Sequence, residues 1–169
     1  MRRFLLLALA LFLLGGCGYR FGWDGASRPE GLETVYVDMF ANRSTEPFLE
    51  NTVTNRVVEQ FSRRGGWRLS EDAKAADAVL SGTVQSYTTL PISYDALDEI
   101  TEYRSEVTIN AVMRRGRDGK VLWKGKVAWS EEYPAADDKA LQEDNEATAT
   151  ALAAERIAEE LYFRVVNRF

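Results

Sequence analysis

Histidine is absent from the 169 residues and cysteine occurs once. Without histidine the chain lacks the commonest general base, the commonest zinc ligand and every Ser-His or Cys-His nucleophile pair. One cysteine rules out an intrachain disulfide, a CxxC redox pair and a cysteine-rich metal site. No Gly-rich phosphate loop or nucleophile elbow occurs, and neither does an internal repeat. Hydrophobic residues make up 46% and charged residues 28%, an ordinary balance for one compact domain. A catalytic protein is the less expected class.

The hydrophobic residues are unevenly placed. Arg2 and Arg3 precede an unbroken apolar run from Phe4 to Leu14, followed by Gly15-Gly16-Cys17. A basic start, a short apolar stretch and small residues before a break form a secretory signal, and a run of this length does not span a bilayer. Leu14-Gly15-Gly16-Cys17 resembles the bacterial lipobox, which implies cleavage before Cys17 and a diacylglycerol and N-acyl chain on that residue. Acyl chains hold a protein on a membrane through about 0.8 kcal/mol per buried CH₂. In lipoproteins of this kind Asp after the lipidated Cys signals inner-membrane retention; Gly18 stands there, which favours the outer membrane. Removing 16 of 169 residues leaves 153, and losing Arg2 and Arg3 moves the formal charge from −5 to −7. An acidic whole argues against nucleic acid as a partner.

The expected organisation is a signal peptide over 1–16, a lipidated tether over 17–31 and a single domain over 32–169. From Thr34 an alternating strand places Val35, Val37 and Met39 on one face and Tyr36, Asp38 and Phe40 on the other. Ser44 or Thr45 is expected to cap a helix with Pro47 in its first turn, carrying Leu49, Val53, Val57 and Phe61 to Gly65-Gly66. Trp67–Leu69 is a short strand candidate, and 71–77 a polar connector. Ala78–Thr89 reads as a strand with a bulge or close approach at Gly82, ended by Leu90-Pro91; a polar loop is expected over 92–102. Tyr103–Arg114 and Val121–Trp129 alternate clearly around an Asp118-Gly119 hairpin turn. From Lys139 one long helix carries a stripe of Ala147, Ala151, Ala154, Ile157, Ala158, Leu161 and Val165. The order β-α-β-β-β-β-α predicts an α+β two-layer sandwich, with a mostly antiparallel sheet of four to five strands and both helices on one face.

Charge is segregated. Between Met113 and Lys126 the basic residues are Arg114, Arg115, Arg117, Lys120, Lys124 and Lys126, against Asp118 alone. Residues 131–146 hold seven acids against Lys139. A basic hairpin tip on an acidic protein attracts phosphate or another anion, although lysines on a strand also blunt a sheet edge against aggregation. Asp98-Glu99 and Asp137-Asp138 would have to face each other across a cleft to act as a hydrolase pair, and nothing in the sequence brings them together. Seven aromatics on or near the sheet, Tyr36, Phe40, Tyr87, Tyr94, Tyr103, Trp123 and Trp129, are expected mostly in the core.

Several stretches together resemble the lipopolysaccharide-assembly lipoprotein family LptE. They are Leu14–Phe21, Val35–Ser44, Pro47–Glu50, Ala76–Gly82 and Gly119–Trp123, in the family's order. The lipobox followed by Gly-Tyr-Arg-Phe, with a strand ending in Phe40-Ala41-Asn42, is their most specific part. The resemblance implies an outer-membrane lipoprotein on the periplasmic side, without covalent chemistry or cofactor beyond its acyl chains. It would plug the β-barrel LptD, help that barrel assemble and assist lipopolysaccharide delivery, with the basic hairpin residues as candidates for the lipid A phosphates. The alternative is a lipid-anchored accessory of another envelope channel.

Overall fold

A computed structural model describes residues 31–167. The signal peptide, the lipidation call at Cys17 and the tether through residue 30 lie outside them. Among the described residues no helix is long and apolar enough to cross a membrane.

The elements are β1 (Thr34–Val37), β2 (Ala41–Asn42), α1 (Leu49–Arg63), β3 (Arg68–Leu69), β4 (Ala78–Tyr94), β5 (Ile100–Arg115), β6 (Val121–Pro134) and α2 (Lys139–Val166). The α+β architecture is as expected, and the Trp67–Leu69 candidate supplies β3. One further two-residue strand, β2, brings the sheet to six. The order is β3-β1-β4-β5-β6, with β2 also on β4. The three long strands pair antiparallel, whereas the short β1, β2 and β3 join in parallel. Both helices cover one sheet face, α2 over β5 and β6 and α1 beside it.

Alternation dictates which side chains enter the core. On β5 Ser105, Val107, Ile109, Ala111 and Met113 are buried, and Trp123 and Val127 answer from β6. They pack beneath Val53, Val57, Phe61, Ile157 and Leu161 of the helices. Gly82 is a close approach: a Cβ there would land on the Phe40 ring.

The structure corrects five readings. Alternation fails after Asp38, so Met39 is exposed and Phe40 buried, its backbone N–H donating to Thr54 Oγ1 at 3.0 Å. Ser44 and Thr45 do not cap α1. Ser44 instead bonds Asn42 Oδ1 through its N–H and hydroxyl, and the helix starts after Phe48 in left-handed conformation at φ 61°. Asn42 also donates to Glu50 Oε2 at 2.7 Å and to the Glu46 carbonyl, which gives the Phe40-Ala41-Asn42 motif its physical role as organiser of this loop. Pro91 does not end β4. The strand continues to Tyr94 with register shifts after Pro91, and the expected loop over 92–102 shrinks to residues 95–99. Ala147 is exposed, and burial on α2 begins at Ala149 and Thr150. Tyr94 and Trp129 are exposed rather than core.

Candidate anion-binding site

The β5–β6 hairpin carries the predicted basic cluster, and its turn is tightly built. Arg115 N–H donates to the Lys120 carbonyl and Gly119 N–H to the Arg115 carbonyl, both at 2.9 Å. Asp118 Oδ1 accepts the Lys120 N–H at 3.0 Å, and this bond, helped by Arg115, holds the Asp118 carboxyl below the usual range. Gly116 stitches the turn to the start of β4. Its N–H donates to the Asp77 carbonyl at 2.7 Å, and a Cβ there would collide with the Ala76 carbonyl.

The six candidates separate into groups. Alternation sets Arg114, Lys124 and Lys126 on the helix-free face, since Met113, Trp123 and Val127 are buried under the helices. All three are exposed; Arg114 donates to the Gly119 carbonyl at 3.2 Å, and the two lysines make no ion pair among the described residues. Arg115 points the other way and pairs with Asp118 at 3.2 Å, while Arg117 lies 3.9 Å from the same carboxylate. Lys120 is exposed in the turn. Arg115 and Arg117 line a cavity of about 270 Å³ together with Lys74, Asp77 and the chain at Gly31 and Leu32. Lys74 is the cation that the sequence reading missed. It lies in the connector before β4 and reaches the site because Ala78 at the start of β4 pairs with Arg115 at the end of β5, which no local pattern announces.

Asp77 anchors this cavity. Its Oδ2 accepts from the N–H groups of Glu33 and Thr34 and from the Thr34 hydroxyl, each at 2.9 Å. These bonds hold its carboxyl below the ordinary aspartate range. Asp77 therefore stays ionised, and Lys74, Arg115 and Arg117 outnumber it in the cavity lining, which leaves the cavity net basic toward a visiting anion.

The opposite end is acidic. Asp95 Oδ1 accepts from Leu97 and Glu99 N–H to build the β4–β5 loop, and Asp138 Oδ1 caps α2 through the Leu141 N–H. Asp98 stands in that loop at φ 62°, so the two carboxylate pairs belong to a turn and a helix start. A polar cluster lies between them. Tyr87 donates to Glu146 Oε1 at 2.6 Å and meets Ser105 and Thr150, while Thr89 donates to the same carboxylate oxygen. Burial, then the Glu146 bond, raises the Tyr87 pKa. This cluster seals the core where its apolar side chains give way to polar ones.

The helix-covered α+β sheet is a fold shared with solved bacterial lipoproteins. The chain shares its fold with lipoprotein B from Nitrosomonas europaea at 11% identity and a TM-score of 0.58, covering 83% of this chain and 90% of that one. A protein from Xanthomonas campestris is similar at 14% identity, 83% and 87% coverage and a TM-score of 0.58. Rare lipoprotein B from Shewanella oneidensis aligns at 15% identity over 80% and 98%, with a TM-score of 0.49. No curated protein matches the sequence. The LptE family, described as lipopolysaccharide assembly, matches residues 32–168, and the chain belongs to that family.

Proposed function

We propose that the chain is an outer-membrane lipoprotein anchored through acyl chains on Cys17 at the periplasmic side. In this reading it plugs an LptD-type β-barrel, helps that barrel assemble, and binds lipopolysaccharide on its way to the cell surface. It works as a binding and assembly subunit, without covalent chemistry. Family membership supports the lipopolysaccharide-assembly role.

The observation that carries the lipid part is the basic end, where Arg114, Lys124 and Lys126 share one face and Lys74, Arg115 and Arg117 surround a cavity. Lipid A phosphates suit both arginine forks and lysine ammonium groups. The helix-free face supports the barrel part. It carries Ser81, Thr83, Ser86, Thr88, Asn110 and Ser130, a hydroxyl- and amide-rich surface matched to the polar lumen of a large barrel.

Two groups of substitutions test the reading. Changing Arg114, Lys124 and Lys126 to Ser, or Lys74, Arg115 and Arg117 to Ser, is expected to weaken lipopolysaccharide binding at least about tenfold, because each lost charge-assisted bond to phosphate is substantial. Barrel recovery from detergent-solubilised outer membrane should stay intact. Unchanged binding in both triples would overturn the lipid assignment. Recovery of a different channel, with no LptD-type barrel, would favour an accessory of another envelope machine.

A further inference from the structure

The chain enters the fold at its basic end. Gly31, the first described residue, lines the same cavity as Lys74, Arg115 and Arg117. Leu32 is buried there, and Asp77 clasps the N–H groups of Glu33 and Thr34, so the point of entry is fixed. Gly31 follows Cys17 by 14 residues, a length that spans at most about 50 Å. The acidic loop at residues 95–99 lies about as far again along the sheet, at the other end of β5. With an acyl anchor on Cys17, the basic end meets the bilayer at any extension of that segment. The acidic loop approaches it only if the segment is drawn almost straight.

The side chains at the basic end suit such a neighbour. Lys74, Arg117 and Lys120 are exposed, and the two lysines make no ion pair among the described residues. Arg117 keeps 77% of its side chain open, 3.9 Å from Asp118. The acids nearby are already held by donors: Asp72 by the Lys74 N–H, Asp118 by the Lys120 N–H, and Glu33 by Arg68. Val121, 40% exposed, opens β6 directly after Lys120. A small apolar group beside cations fits the boundary of an anionic bilayer, where ammonium and guanidinium groups meet headgroup phosphates. The far end has the opposite character. Asp95, Asp98 and Glu99 are exposed there and carry the sign of the bilayer itself, which repels them.

We propose that Lys74, Arg117, Lys120 and Val121 form a membrane-docking foot, which sets its cations on the anionic phospholipid headgroups of the bilayer that holds the acyl chains. The proposal rests on the anchor at Cys17 and adds a second attachment to it, as stable anchoring requires. It keeps the acidic loop off the leaflet and free to enter a barrel lumen. Within a barrel the same end marks the periplasmic mouth, level with the headgroups, because the anchored segment passes beneath the rim to reach them. A phospholipid phosphate and a lipid A phosphate share the chemistry these cations recognise, so vesicles free of lipopolysaccharide separate the two.

The test uses the full chain purified from membranes, its acyl groups read by mass spectrometry, and reconstituted into such vesicles. Val121→Cys and, separately, Leu97→Cys carry an environment-sensitive fluorophore, the Cys17 sulfur being closed as a thioether. In vesicles containing phosphatidylglycerol the label at position 121 should shift to the blue and be quenched by spin-labelled headgroups. In phosphatidylcholine alone it should do neither, and the label at position 97 should report water in both. About 1 M salt should release the foot by cutting the Debye length to about 3 Å. Lys120→Ser should lower the docked-to-free ratio about fivefold, and Lys74→Ser, Arg117→Ser and Lys120→Ser combined about a hundredfold, at about fivefold per charge near an anionic surface. A chain without acyl groups would overturn the anchor and the proposal with it. On an acylated chain, a signal at position 121 alike in both vesicles, equal quenching at position 97, or a signal unmoved by the triple variant would each overturn the proposal and leave the anchor standing.

Discussion

At the scale of residues, Asp77 shows how a single side chain joins distant parts of the chain. Its carboxylate accepts three hydrogen bonds from Glu33 and Thr34, and its own N–H donates to the Thr34 hydroxyl at 2.9 Å. This clasp fixes the start of β1 to the start of β4 and sets one wall of the basic cavity. The sequence places Asp77 in a polar connector, and the 43 residues separating it from Thr34 hide the pair from any local pattern. Because the folded carboxyl has a lowered pKa, its stabilisation is fully present above the unfolded aspartate pKa and is lost as pH falls through the folded one. Asp77→Ala should cost roughly 2 kcal/mol at neutral pH, the net worth of part-exposed hydrogen bonds to a charged acceptor. Urea denaturation should show the gap between native and variant narrowing as pH drops below the aspartate range. A gap that stays constant from pH 7 to pH 2.5 would refute the assignment.

At the scale of elements, α2 and β4 show what periodicity reveals and where it stops. The alanines in the middle of the last helix predict a close approach to a neighbour, and Ala153, Ala154 and Ala158 are fully buried. The stripe was legible because α2 lies along β5 and β6 with one continuous face. Ala147 broke it because the start of α2 meets the sheet through polar groups, Glu146 accepting from Tyr87 and Thr89, and the apolar contact begins only at Ala149. Enlarging Ala154 to Leu should destabilise by about 1–3 kcal/mol through overpacking, and Ala147→Leu should change stability by under about 0.5 kcal/mol. Thermal unfolding of the two variants decides this, and equal melting temperatures would contradict the packing. Pro91 misled for a different reason. Proline is excluded from central strands but tolerated on edges. β1 and β2 pair with β4 only as far as Val84, so beyond that point β4 has β5 as its one neighbour and is an edge strand. That depends on how far two short partners reach, which the residues around Pro91 do not encode.

At the scale of the whole molecule, charge is arranged along the length of the sheet. β5 runs 16 residues from the acidic loop at residues 95–99 to the basic turn at 116–120, about 50 Å at some 3.3 Å per residue. α2 lies in the same sense, with Asp137 and Asp138 at its start and Arg164 in its last turn, so the helix dipole is matched at both ends. The hairpin's net basic charge was readable from composition. Its division into an open-face group and a cavity group was not, because strand alternation, the β4–β5 register and Lys74 must combine to produce it. The basic residues are mostly solvated, so their attraction for a phosphate-bearing ligand is long-ranged and screened. Raising ionic strength from about 0.01 to 1 M shortens the Debye length from about 30 to 3 Å. Lipopolysaccharide affinity should therefore fall steadily across that range. The Lys74, Arg115 and Arg117 triple variant should flatten the salt dependence less than the Arg114, Lys124 and Lys126 one, because side chains lining a cavity are screened less than those on an open face. Titrations at several salt concentrations, with melting temperatures taken alongside, separate this from loss of folding. Equal salt slopes for the native chain and both variants would mean that neither group meets the ligand's charge.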